Sequence, residues 1–160
     1  MRNVSVLLAS VVFAIFTVIS PVTTQAADQK VWKILIKAAT TEVNGQQFAD
    51  SELDATVKDL RKATHGLIVT DNESEADFLL VVVERKAVAM SGQPASKTIV
   101  ATLSVRDGAA WKPATKLQSG VGTTIWRAAA EEIIIKAEKW LNANVDWKRS
   151  TAGNIMLTTP

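Results

Sequence analysis

The chain of 160 residues contains no cysteine, no tyrosine and a single histidine, with only seven glycines and four prolines. Without thiols there is no disulfide framework, zinc–thiolate site, iron–sulfur cluster or cysteine nucleophile. Any Ser-His-Asp relay would have to pass through His65, and no G-x-S-x-G elbow accompanies it. With 48% hydrophobic residues the chain is not a long disordered one. A surplus of one charge is missing too: 18 basic residues face 16 acidic ones. The sequence pI of about 9.0 reflects how little titrates near neutrality. Basic residues are scattered singly or in pairs, as at Arg61-Lys62, Arg85-Lys86 and Lys148-Arg149, and form no phosphate-tracking stripe. No nucleic-acid partner is expected.

The one long apolar run is amino-terminal. Met1-Arg2-Asn3 carries a positive charge, Val4 to Ile19 is almost wholly apolar, Pro21 interrupts, and the segment ends in the small residue Ala26. This order reads as a secretory signal peptide, and the apolar run is slightly short for a bilayer span. No cysteine follows that could take a lipid. The expected organisation is a signal peptide over 1–26, one α+β domain over 27–144 and a loosely ordered tail over 145–160, within which Ile155-Met156-Leu157 has the apolar character to dock. The mature protein is expected in the periplasm or secreted, with no stable membrane anchor after cleavage.

Apolar periodicity gives the fold class. Trp32, Ile34 and Ile36 alternate with Lys33, Leu35 and Lys37, the pattern of a half-buried strand. Asn44-Gly45 marks a turn in the loop that follows. Ser51 is placed as the N-cap of a helix carrying Leu53, Val57 and Leu60, with Asp54 completing a weak capping box and His65-Gly66 ending it. Leu67–Val69 reads as a short strand, and Phe78–Val83 as an apolar strand covered on both faces. Ile99, Ala101, Leu103 and Val105 then alternate with Thr98, Val100, Thr102 and Ser104, forming a hairpin with the preceding strand across the Ser91–Pro94 loop. Thr115–Gln118 reads as a short edge strand. The last helix groups Trp126, Ala129, Ala130, Ile133, Ile134, Ala137, Trp140 and Leu141 on one face, with Thr124 as its expected N-cap and ion pairs expected at Arg127/Glu131 and Glu132/Lys136. The order β-α-β-β-β-(β)-α implies an α+β two-layer sandwich, with one mixed sheet of four to five strands and two helices on one face.

Candidate chemistry is sparse. Asp71, Glu73, Glu75 and Asp77 alternate like the first half of a calcium loop, but Ala76 stands where that loop needs glycine and Val82 where it needs glutamate. A solvated turn is the better reading. Asn72-Glu73-Ser74 is also a glycosylation sequon, of consequence only in a eukaryotic secretory route. Gln118–Thr124 offers backbone amides to an anion ahead of a helix, without P-loop lysine or dinucleotide spacing. Asp54/Asp59 and Glu131/Glu132 are carboxylate pairs on faces expected to be wet. Trp111 and Trp147 fall in expected loop and tail, as anchors for a partner or glycan or as residues tucked against the domain.

Asp59-Leu60 followed by Glu75–Val82, together with Trp126–Ala129, Trp140-Leu141 and Asn144, resembles a loose group of uncharacterised bacterial exported proteins sharing this element order. The segment from the acidic turn through Ala76-Asp77 into the apolar strand is also similar to the amino-terminal domain of the Tol–Pal translocation protein and to the curli-secretion channel subunit. The resemblance implies a small exported α/β domain and carries no catalytic residues. The channel subunit's lipid-bearing cysteine has no counterpart here.

The leading expectation is a non-enzymatic exported protein acting by contact with a protein partner, with no cofactor and no metal. Its candidate contact residues are Lys33, Leu35, Val100 and Thr102 on a wet second sheet face, with Trp111, Ile135 and Trp147 elsewhere. The alternatives are a hydrolase or small-ligand binder using carboxylates or His65, and a secreted inhibitor or glycan-binding module using Trp111 and Trp147. Export is checked first: mass spectrometry of the protein recovered from outside the cytoplasm is expected to show a chain beginning at Ala27.

Overall fold

The structure is a computed structural model that describes residues 31–43, 46–64, 66–120, 122–146, 150 and 154–158. The signal segment 1–26, the Asn44-Gly45 turn, His65 and Trp147 lie outside the described residues. The elements are β1 (Lys33–Ala38), β2 (Thr40–Val43), β3 (Gln46–Ala49), α1 (Ser51–Ala63), β4 (Ile68–Val69), a single 3₁₀ turn (Glu73–Glu75), β5 (Phe78–Met90), β6 (Gln93–Asp107), β7 (Ala110–Gln118) and α2 (Trp126–Asn144).

Five strands form one mixed sheet in the order β4-β1-β5-β6-β7. β1 runs parallel to β4 and β5, while β5, β6 and β7 make an antiparallel meander. Both helices pack on the same side, α1 over β1 and β5 and α2 over β6 and β7. The expected α+β sandwich is therefore what forms. Phe78, Leu80 and Val82 of β5 are fully buried, facing Ile34 and Ile36 of β1, Ile99, Ala101 and Leu103 of β6, Leu60 of α1 and Ile133, Ile134 and Ala137 of α2 in one core. Trp32 meets Phe78 edge-on, with ring centroids 5.2 Å apart. The ion pairs expected on α2 are present, Arg127–Glu131 at 3.3 Å and Lys136–Glu132 at 2.8 Å.

Several local expectations give way. β2 and β3 form a separate two-stranded hairpin where a loop was expected, because mixed polar residues hide the period-two signal. β5 and β6 run well past their apolar segments, to Met90 and back from Gln93, making a ribbon that extends beyond the β1 pairing. Glu84-Arg85-Lys86 interrupted the apolar pattern there, yet the backbone keeps pairing. Pro94 falls at an irregularity in that ribbon and Pro113 at one in edge strand β7, where a missing amide costs least.

Asp50, not Ser51, caps α1: its carboxylate accepts the Glu52 amide at 2.8 Å. Ile125, not Thr124, stands at the cap position of α2, with no side-chain cap bond. Arg85 helps join the layers, stacking its guanidinium 4.0 Å over the Trp126 ring and donating to the Glu52 carbonyl at 2.9 Å. Beyond α2 the chain turns back. Val145 bridges Leu157, Asn154 bridges Asp107, and Ile155, 7% exposed, joins the core.

The burial contrast within β5 is testable. Leu80→Ala is expected to cost about 2–5 kcal/mol in urea unfolding, and Leu79→Ala, on the half-buried opposite face, clearly less.

Candidate functional site: the open sheet face

Residues of the sheet that point away from the helices form a second face, which strand register lays out in rows. Lys37, Val81, Thr102 and Lys116 stand side by side across four strands, and Leu35, Leu79, Ser104 and Pro113 make the adjacent row. Among the described residues no helix covers this face. Lys33 and Thr102 are partly exposed, as expected. Leu35 and Val100 lie on the face but are each only 2% exposed, so the expectation that they are accessible is corrected. Leu35 sits between Lys33 and Lys37, and the strands flanking Val100 place Glu84 on one side and Gln118 on the other.

One end of the face is closed by the acidic turn. Its four carboxylates do not converge on a common centre; each is engaged by another group. Asp71 pairs with Arg61 at 2.6 Å, Glu75 with Lys33 at 2.8 Å, and Asp77 accepts the Lys33 backbone amide at 3.0 Å. Glu73 spans the sheet: one oxygen accepts Lys37 of β1 at 2.7 Å and the other the Trp111 indole N–H of β7 at 2.9 Å. Arg106 of β6 completes the arrangement, donating to the carbonyls of Glu73 and, at 2.7 Å, Ala76, with its guanidinium 4.4 Å over the Trp111 ring. Asn72 caps the turn, accepting from the Ser74 amide and hydroxyl and donating to Glu75 at 3.0 Å. Its side chain is thus used internally, whatever the sequon permits. No three metal-ligating side chains gather among the described residues.

Trp111 therefore belongs to a strand, where a loop was expected, and of its two readings, anchor or residue tucked against the domain, the second holds. The long sequence separation between Glu73 and its partners left no local signal of this. Ile135 is 54% exposed on the outer side of α2, away from the face, and Trp147 and His65 are outside the described residues. The amides of the loop before α2 are also occupied: Gly120 donates to Glu132 at 2.7 Å and Gly122 to the Ser96 hydroxyl at 3.0 Å. Glu132 fills the position an anion would take, and it also holds Lys136, so the pair Glu131/Glu132 is engaged within its own helix. Asp54 and Asp59 lie on the outer side of α1, exposed and half-exposed.

Lysine and indole hydrogen bonds hold the Glu73 carboxyl below its ordinary value of 4.5, and the Lys33 and Asn72 bonds do the same for Glu75. The Glu75 partnership raises Lys33 above 10.5. The two carboxylates thus contribute fully above pH 4.5 and lose that contribution as pH falls through their depressed values. Lys33 contributes fully below 10.5 and loses its part as pH rises through its elevated value. The Trp111 indole N–H resonance is expected to shift on acidification below pH 4.5 and to stay in place in Glu73→Gln.

Neither the known protein families nor the curated proteins give a match to this sequence. Among solved structures, the crystal structure of a minor lipoprotein from Acinetobacter baumannii is similar over 69% of this chain and 92% of that one, at 12% identity and a TM-score of 0.35. Overlap at that level bears on neither activity nor location.

Proposed function

We propose that the protein is an exported bacterial envelope protein without catalytic activity, acting through contact of its open sheet face with a protein partner. The carrying observation is the row Val81–Thr102 with the exposed Val83 beside it, left uncovered by the helices while the acidic turn closes only one end of the face. Apolar surface of this kind, bordered by lysines and ion pairs, has the makeup of a contact patch. Export is supported by the charged, apolar and small-residue order of Met1 to Ala26. The non-enzymatic reading is supported by the partners of the carboxylates, which lysines, Arg61 and backbone amides hold apart in separate places.

A photo-crosslinking residue placed at Val81 or Thr102 is expected to give a discrete adduct in envelope fractions, whereas the same residue at Lys58, exposed on α1, is expected to give none. Thr102→Arg, which leaves the core untouched, is expected to abolish the Val81 adduct with little change in melting temperature. Equal adducts at Lys58, or none at either sheet position, would sink the contact reading. Recovery of the protein only from the cytoplasm would sink the export reading.

A further inference from the structure

At the β7 edge of the sheet, the last turns of α2 and the end of β7 border a shallow, open cavity of about 470 Å³. Its apolar part is Leu117, 7% exposed, and the half-buried Trp140, which packs on the core, with the exposed Ala143 and the polar Gln118 and Asn144 alongside. Its rim is cationic, with Lys116 from β7 and Lys136 and Lys139 from α2. The three lysines are not equivalent. Lys136 is neutralised by Glu132 at 2.8 Å and donates to the Gln118 carbonyl at 2.7 Å, so it fixes the helix to the strand. Lys116 and Lys139 have no carboxylate partner among the described residues, which leaves two uncompensated ammonium groups beside an indole.

We infer that this cavity binds an anionic amphiphile, with a carboxylate or phosphate head set between Lys116 and Lys139 and an apolar tail lying on Leu117 and Trp140. The size suits a small ligand, and Leu117 and Trp140 offer it apolar contact beside the polar groups of the rim. The openness of the cavity favours a flexible tail over a rigid, fully enclosed molecule. Charge complementarity selects the head. Lysine stems along the rim add apolar contact to the tail while their ammonium groups stay wet. The head comes either from a free single-chain acid or from an acidic lipid still in a bilayer, and the same two lysines serve both.

The test uses the full mature chain. Calorimetric titration with decanoate below its micelle concentration is expected to saturate. Lys116→Gln with Lys139→Gln, two surface changes outside the core, is expected to weaken binding by about tenfold, since each exposed charge contact contributes little alone. Sedimentation with phosphatidylglycerol vesicles, against phosphatidylcholine vesicles, separates the two sources. Binding of decanoate alone assigns a free acid, and binding of phosphatidylglycerol alone, lost in the double variant, assigns a lipid head. No saturable uptake of either probe, uptake unchanged in the double variant, or equal affinity for neutral decanol would overturn the inference. Lys116 ends the row that holds Val81 and Thr102, so Lys139→Gln alone, a change on α2, is expected to weaken probe binding while leaving the Val81 adduct in place, and the two readings fail independently.

Discussion

Everything in this fold is arranged around the first five residues of β5, Phe78 to Val82, which are paired on both edges at once, parallel to β1 and antiparallel to β6. A strand so placed has no water to satisfy its amides, and both its edges must be hydrogen-bonded by neighbours. Its alternate side chains Phe78, Leu80 and Val82 are fully buried, and the helices are drawn to that side because nothing else can cover them. The same alternation sends Leu79 and Val81 to the other face. The existence of an uncovered, partly apolar face therefore follows from the makeup of the central strand.

The ends of the sheet are secured by polar contacts of a different kind. Arg85, on the core-facing register of β5, touches both helices through the Trp126 ring and the Glu52 carbonyl, while Arg106, on the opposite face, ties the acidic turn to Trp111. In each case a guanidinium lies on an indole and donates to backbone carbonyls, a combination that lysine's compact ammonium does not reproduce. Individually exposed ion pairs such as Lys33–Glu75 add little to stability, but here they set where the turn lies.

Much of this was legible in the sequence, and the limits have physical reasons. The alternation in Lys33–Lys37 and Ile99–Val105, the apolar run at Phe78 and the stripe on α2 each declare themselves within a few residues, and each element formed where expected. The ribbon beyond Val83 did not show, because antiparallel pairing can propagate through charged and small residues once the apolar part is locked. Cap positions shifted by one residue, toward Asp50 and Ile125, as boundaries commonly do. The partners of Glu73 were invisible for another reason: Lys37 and Trp111 lie 36 and 38 residues away on either side, and only the folded sheet brings them within reach. For the same reason the sequence marked Leu35 and Val100 as accessible, since alternation tells which face a side chain is on and not what stands beside it.

The ribbon formed by the outer parts of β5 and β6 has a bearing on how the protein behaves in crowded solution. Beyond Val82 the β5 backbone has no strand paired on its β1 side among the described residues, and its charges are concentrated at the base, in Glu84-Arg85-Lys86, while Ala87 to Met90 carry none and Val88 is 47% exposed. Such an edge is a template for another extended chain. On the facing strand Lys97 stands opposite Ala87, so charge of one sign guards the middle of the ribbon and a further charge toward the tip would oppose pairing with a second copy.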